Sequence, residues 1–142
     1  MIRLATTKDL SGISSLVTEF SELKTGDVKF ETDKVNGIIT KCIENETVLA
    51  LEVGGKVVGG HCAIVVDSLM NNEVIYQDMF FYIRKPYVLH TRSLLRGIER
   101  RCVAVGANTV VMATMGDNPR LDKLYKIMGY GIMETHHSKR VA

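Results

Sequence analysis

The sequence predicts an α/β (mixed α+β) fold, with a mixed, mainly antiparallel central sheet and one parallel βαβ crossover. Three observations lead there. Four segments carry apolar residues at helical spacing, at 10–20, 35–43, 94–105 and 121–128. Two β-branched runs meet at Gly54-Gly55, the mark of a hairpin. A helical segment separates the strand pattern of 74–83 from the short apolar run Thr109-Val110-Val111-Met112-Ala113, and strands so connected run parallel in a right-handed crossover.

The elements follow in order. Ile2 to Ala5 reads as a short strand, after which Thr6 or Thr7 caps a helix whose inward residues are Leu10, Ile13, Leu16, Val17 and Phe20. A second helix begins after Thr32, buries Val35, Ile38, Ile39, Cys42 and Ile43, and stops at Asn45. Thr47–Val53, Lys56–Val66 and Val74–Ile83 form three meandering antiparallel strands, with turns at Gly54-Gly55 and Asn71-Asn72. A helix from about Thr91 to Val105 turns Leu94, Leu95, Ile98, Cys102 and Val105 inward, and Gly106 ends it. Thr109 to Ala113 reads as a strand buried on both faces. A helix over 118–128 and a last strand over 131–137 close the chain.

With 142 residues the chain is long enough for one domain, 1–142, with a sizeable core. No apolar run approaches the roughly 18 residues of a membrane span, and the start lacks a secretory pattern, so a cytoplasmic protein without a membrane partner is expected. Cys42, Cys62 and Cys102 are scattered among apolar neighbours with no CxxC pair, which suggests buried thiols and no metal site. A formal net charge of +2 does not by itself imply nucleic acid. The positive charge is uneven, however: Arg84, Lys85, Arg92, Arg96, Arg100 and Arg101 face a single acid, Glu99, between 84 and 101. The stripe Arg92/Arg96/Arg100 lacks interleaved aromatics, so a solvated helix face is favoured over a nucleic-acid footprint.

The densest motif is Asn118-Pro119-Arg120-Leu121-Asp122-Lys123-Leu124-Tyr125-Lys126-Ile127-Met128-Gly129-Tyr130. Asn118 is a good helix N-cap and Pro119 suits the first helical position. Leu121, Leu124, Tyr125 and Met128 share one face, so Tyr125 packs in the core on this reading. Asp78 sits among aromatics in Tyr76-Gln77-Asp78-Met79-Phe80-Phe81-Tyr82-Ile83, where a carboxylate is either solvated or raised in pKa as a proton acceptor. Glu73 is its weaker rival. His61 after Gly59-Gly60 reads as structural, and His136-His137 on opposite faces of a strand cannot chelate together.

The element order, with Gly106-Ala107 before a strand, Asn118 opening a helix, Leu124-Tyr125 and Gly129-Tyr130, resembles the GNAT (GCN5-related N-acetyltransferase) superfamily over essentially the whole chain. The resemblance implies a three-layer α-β-α fold and an N-acetyltransferase that passes the acetyl group of acetyl-CoA, its cosubstrate, to a primary amine. It makes Tyr125 the general acid for the departing thiolate and Asp78 a general base acting through water. It assigns backbone groups of Phe81, Tyr82 and Ile83 to the pantetheine arm, and Arg84, Lys85, His90, Thr91, Arg92 and Ser93 to the pyrophosphate, with Asn118 also touching the coenzyme. The acceptor is a small-molecule or peptide amine, with a pocket formed by the first two helices and the 67–73 turn, and Thr25-Gly26-Asp27-Val28-Lys29-Phe30 as a mobile flap. Relatives often form homodimers.

One feature departs from the family. Its Arg/Gln-x-x-Gly-x-Gly/Ala loop, whose glycines let backbone amides approach the pyrophosphate, is replaced by Arg84-Lys85-Pro86-Tyr87-Val88-Leu89-His90-Thr91-Arg92-Ser93, without glycine. Two outcomes follow: side-chain charge and hydroxyls take over from the amides, or the site is closed and the fold survives as a catalytically silent binding or structural protein.

Overall fold

The computed structural model describes residues 1–25 and 31–142. Among them, five strands make one sheet: β1 (Ile2–Leu4), β2 (Val48–Val53), β3 (Lys56–Asp67), β4 (Val74–Ile83) and β5 (Thr109–Val111). Spatial order follows chain order. β1 to β4 pair antiparallel, and β5 lies parallel to β4 at the far edge. The helices are α1 (Leu10–Thr25), α2 (Thr32–Glu44), α3 (Thr91–Ala104) and α4 (Pro119–Ile127), with 3-10 turns at Thr7–Asp9 and Lys85–His90. Beyond its first residue, the expected Thr25–Phe30 flap falls outside the described residues.

Two apolar cores lie on opposite faces of the sheet, giving the three layers. Ile13 and Leu16 of α1 and Ile39, Cys42 and Ile43 of α2 pack on one face with Val48, Cys62 and Phe80. Leu94, Leu95, Ile98 and Cys102 of α3 and Tyr125 of α4 pack on the other with Leu51, Tyr76 and Ile83. Leu94, Leu95 and Ile98 are fully buried, the kind of site where truncation to alanine costs about 2–5 kcal/mol. All three cysteines are free and buried. No helix among the described residues is long and apolar enough to cross a membrane.

Before α1, Asp9 accepts the Thr6 N–H at 2.8 Å and closes a capping box. The Arg3 guanidinium meets the same carboxylate with 2.8 and 2.9 Å hydrogen bonds and holds its pKa down to about 2.

Two expectations need correction. The last strand over 131–137 is not formed: that segment is exposed and without regular structure, with Ile132 98% and Met133 61% exposed. Its two apolar residues are consecutive, so a strand there would point them to opposite faces and bury neither set well. His136-His137 therefore lies in this irregular tail, and His136 Nε2 sits 3.0 Å from Glu134. β5 is also shorter than expected and half-buried rather than buried on both faces, ending at Val111. Beyond it, the Ala113 N–H turns to a side chain of β4 instead of its backbone.

Candidate active site

A single extra residue shapes β4. Phe80 faces Cys62 and Asp78 faces Ala63, so Met79 bulges out of the ladder. Side chains alternate along a strand, and one inserted residue reverses which of them face each side. Tyr76 before the bulge and Phe81 and Ile83 after it all enter the core under α3 and α4, while Phe80 and Tyr82 enter the opposite core. His61, opposite Phe81 on β3, is fully buried between the Phe81 and Tyr76 rings, with centroids 6.3 and 5.8 Å away. Its Nε2 lies 3.2 Å from Asp78 Oδ1, and the Asp78 side chain is 6% exposed. The contact is within ion-pair distance but is not aligned as a hydrogen bond, leaving that oxygen with accepting capacity.

The parallel pair β4/β5 holds over only three positions, Ile75–Thr109, Tyr76–Val110 and Gln77–Val111. β4 then continues to Ile83 with no strand among the described residues paired to it on that edge. At the fork, Asp78 Oδ2 accepts the Ala113 N–H at 3.2 Å, and the Tyr125 hydroxyl donates to the Ala113 carbonyl at 3.2 Å. One peptide residue thus links the carboxylate to the phenol.

Tyr125 reaches this point because of how α4 starts. The Asn118 side chain accepts the Leu121 N–H at 3.2 Å, Pro119 opens the helix, and Thr114 donates to Asp122 at 2.8 Å. Tyr125 is buried, its ring 5.4 Å from that of Tyr130, whose hydroxyl donates to Glu99 at 3.1 Å. Burial, helped by the nearby Asp78 charge, pushes the Tyr125 phenol pKa well above its ordinary value and keeps it protonated.

The segment joining β4 to α3 is built differently. Residues Lys85–His90 wind into a 3-10 turn that runs directly into α3. The amides there are largely used: Arg84 N–H donates to Val58 at 2.9 Å, Tyr87 N–H to Arg84 at 2.8 Å and Thr91 N–H to Val88. The Thr91 hydroxyl also donates to the Val88 carbonyl, at 2.7 Å. The Arg84 guanidinium is turned to α1, where it holds Glu19 by contacts of 2.6 and 3.0 Å. Tyr87 packs against the core under α3, whereas Leu89 is 89% exposed. Lys85 and Arg92 are exposed, and His90 and Ser93 face a separate concavity with Arg96 and Arg100.

The structure therefore brings Asp78 and Tyr125 together around Ala113, next to the open β4 edge of Phe81, Tyr82 and Ile83. Asn118 serves as a helix cap, and Arg84 is engaged by α1. The carboxylate of Asp78 is buried, not solvated. Sequence reasoning missed the His61–Asp78 contact, whose register depends on the bulge.

No protein-family model matches the chain, and no curated protein matches it by sequence. Solved structures do resemble it. A probable acetyltransferase superposes with a TM-score of 0.79 at 14% identity, covering 100% of this chain and 98% of the other. A predicted acetyltransferase from Clostridium acetobutylicum, solved with acetyl-CoA, gives 0.77 at 11% identity, covering 99% and 95%. A ribosomal-protein-alanine N-acetyltransferase from Brucella melitensis biovar Abortus 2308 gives 0.73 at 13% identity, covering 100% and 99%. At such identities the likeness is one of fold, and this chain has the fold of these solved acetyltransferases.

Proposed function

We propose that this chain is a divergent GNAT-superfamily N-acetyltransferase that moves an acetyl group from acetyl-CoA to a primary amine by direct attack. The observation that carries this reading is the fork: β4 and β5 part next to a protonated phenol and a buried carboxylate.

The open edge of Phe81–Ile83 suits an amide-rich pantetheine arm, which can pair with it as an added strand. Acetyl-CoA supplies a thioester carbonyl for attack and a thiolate leaving group. An unpaired β4 N–H steadies the negative charge that develops on the carbonyl oxygen. Tyr125 releases its hydrogen bond to Ala113 and protonates the sulfur. With ordinary pKa values of about 10 for the phenol and about 8.5 for the thiol, that transfer is uphill by about 2 kcal/mol, and the raised phenol adds to it; the cost is within reach of a catalysed step. Asp78, the carboxylate at the fork, takes the amine proton through a water. At the phosphate end, Lys85 and Arg92 supply charge where the family uses glycine-permitted amides.

The test is release of free thiol from acetyl-CoA in the presence of a panel of small primary amines and peptides with free N-termini or lysines. Amine-dependent release above the protein-free blank is expected for at least one class. Thiol release that never exceeds the blank with any acceptor overturns the reading.

A further inference from the structure

On the face of α3 away from the fork lies a concavity of about 430 Å³, in the range of small-ligand sites. The exposed Met1, Ile2 of β1 and the fully buried Leu51 of β2 line one side of it, and His90, Ser93, Arg96 and Arg100 line the other. β1 and β5 are opposite edges of the sheet, so the Ile2 side of this hollow lies at the edge away from the fork.

Three features point to an anion. First, the lining contains no carboxylate. Second, Arg96 and Arg100 are exposed and have no ion-pair partner among the described residues, whereas Arg3, Arg84 and Arg101 each have one. Like charges one helical turn apart repel by a few tenths of a kcal/mol, a cost that an anion between them removes. Third, the backbone is shaped for it. A β-carbon on Gly97 would lie 3.1 Å from Ile2 Cγ2, 3.6 Å from Leu49 Cδ1 and 4.0 Å from Arg100 Nη2. The bare glycine thus lets α3 settle on β1 and leaves the Arg100 guanidinium folded back over the same place. Ser93 adds a hydroxyl and His90 a ring nitrogen at the amino end of α3, where the helix dipole favours negative charge.

We propose that this hollow binds a phosphate-bearing small molecule at a site independent of the coenzyme cleft. Two guanidinium forks match a phosphate's oxygens, and the Met1 and Ile2 side chains offer an apolar surface to the organic part of the ligand. Unlike a bare helix terminus, the site joins paired cations, hydroxyl and ring donors and an apolar surface within one hollow.

The experiment titrates inorganic phosphate and adenosine 5′-monophosphate into the intact protein, following backbone amide resonances. Alongside the wild type runs the exposed double variant R96Q/R100Q, with folding checked by circular dichroism. Saturable shifts centred on Ser93, Gly97 and Arg100 are expected, with the monophosphate tighter than phosphate, and the double variant should weaken both by about tenfold or more. Acetyl-CoA affinity should change less than about twofold in the same variant. No saturable response in the wild type, an undiminished response in the variant, or competition between phosphate and acetyl-CoA overturns the proposal. Phosphate binding that depends on the arginines in a protein that ignores acetyl-CoA would uphold this site while removing the acyltransferase reading.

Discussion

The two ends of the β4/β5 fork follow different designs. At the deep end, a bulge, a carboxylate, a single peptide residue and a phenol form a continuous contact network from His61 through Asp78 and Ala113 to Tyr125. At the mouth, the glycine loop expected of the fold is replaced by a 3-10 turn whose amides are mostly paired and whose first arginine is held by α1. Under the proposed function, acyl transfer would need few groups in fixed positions, so the deep end would tolerate little change. Phosphate recognition can be met by mobile charged side chains as well as by amides, so the mouth can be rebuilt.

The largest expected effect is at the deep end. Tyr125→Phe should lower acetyl transfer by about a hundredfold or more while costing only about 1 kcal/mol of stability for one lost hydrogen bond. Thiol-release kinetics and urea unfolding of the same preparation separate the two. Next, Asp78→Ala leaves the Ala113 N–H and the buried His61 without their carboxylate, and should destabilise by about 2–3 kcal/mol. A cost below about 0.5 kcal/mol in denaturant unfolding would mean that the fork is not held by this network.

At the mouth the effects shrink. Arg84→Gln should change acetyl-CoA affinity by less than about threefold and stability by at most about 1 kcal/mol, because Arg84 serves α1 and the pair is part-exposed. A tenfold loss of affinity would show that Arg84 leaves Glu19 to grip the coenzyme, and the contrast between the two ends would fail. Smallest is a pH effect. Arg84 holds the Glu19 carboxyl below its usual pKa, so the pair's contribution is complete above the unfolded value of about 4.3 and fades as pH falls through the lower folded value. Unfolding curves of wild type and Arg84→Gln should therefore converge in acid and separate toward neutrality.

Much of the fold was legible because burial leaves a period in the sequence. Leu94, Leu95, Ile98 and Cys102 announced α3, and Val74–Ile83 matched β4 from end to end. The final strand failed because Ile132 and Met133 are apolar without alternating, and no neighbouring strand claims them. In the candidate site, the helix that carries Tyr125 could be read from its motif, since cap, proline and helix face are all local. The Met79 bulge leaves no mark in the residue pattern, yet it decides that Asp78 shares a face with His61 and not with Phe80. The Arg84–Glu19 pair joins residues far apart in the chain and needed the packing of α1 on the sheet to appear.

Whether a coenzyme arm enters between β4 and β5 is measured most directly by calorimetric titration of acetyl-CoA into the wild-type protein. Saturable one-site binding is expected, with a dissociation constant below about a millimolar, worth more than about 4 kcal/mol. An absence of saturable heat at millimolar coenzyme would contradict it.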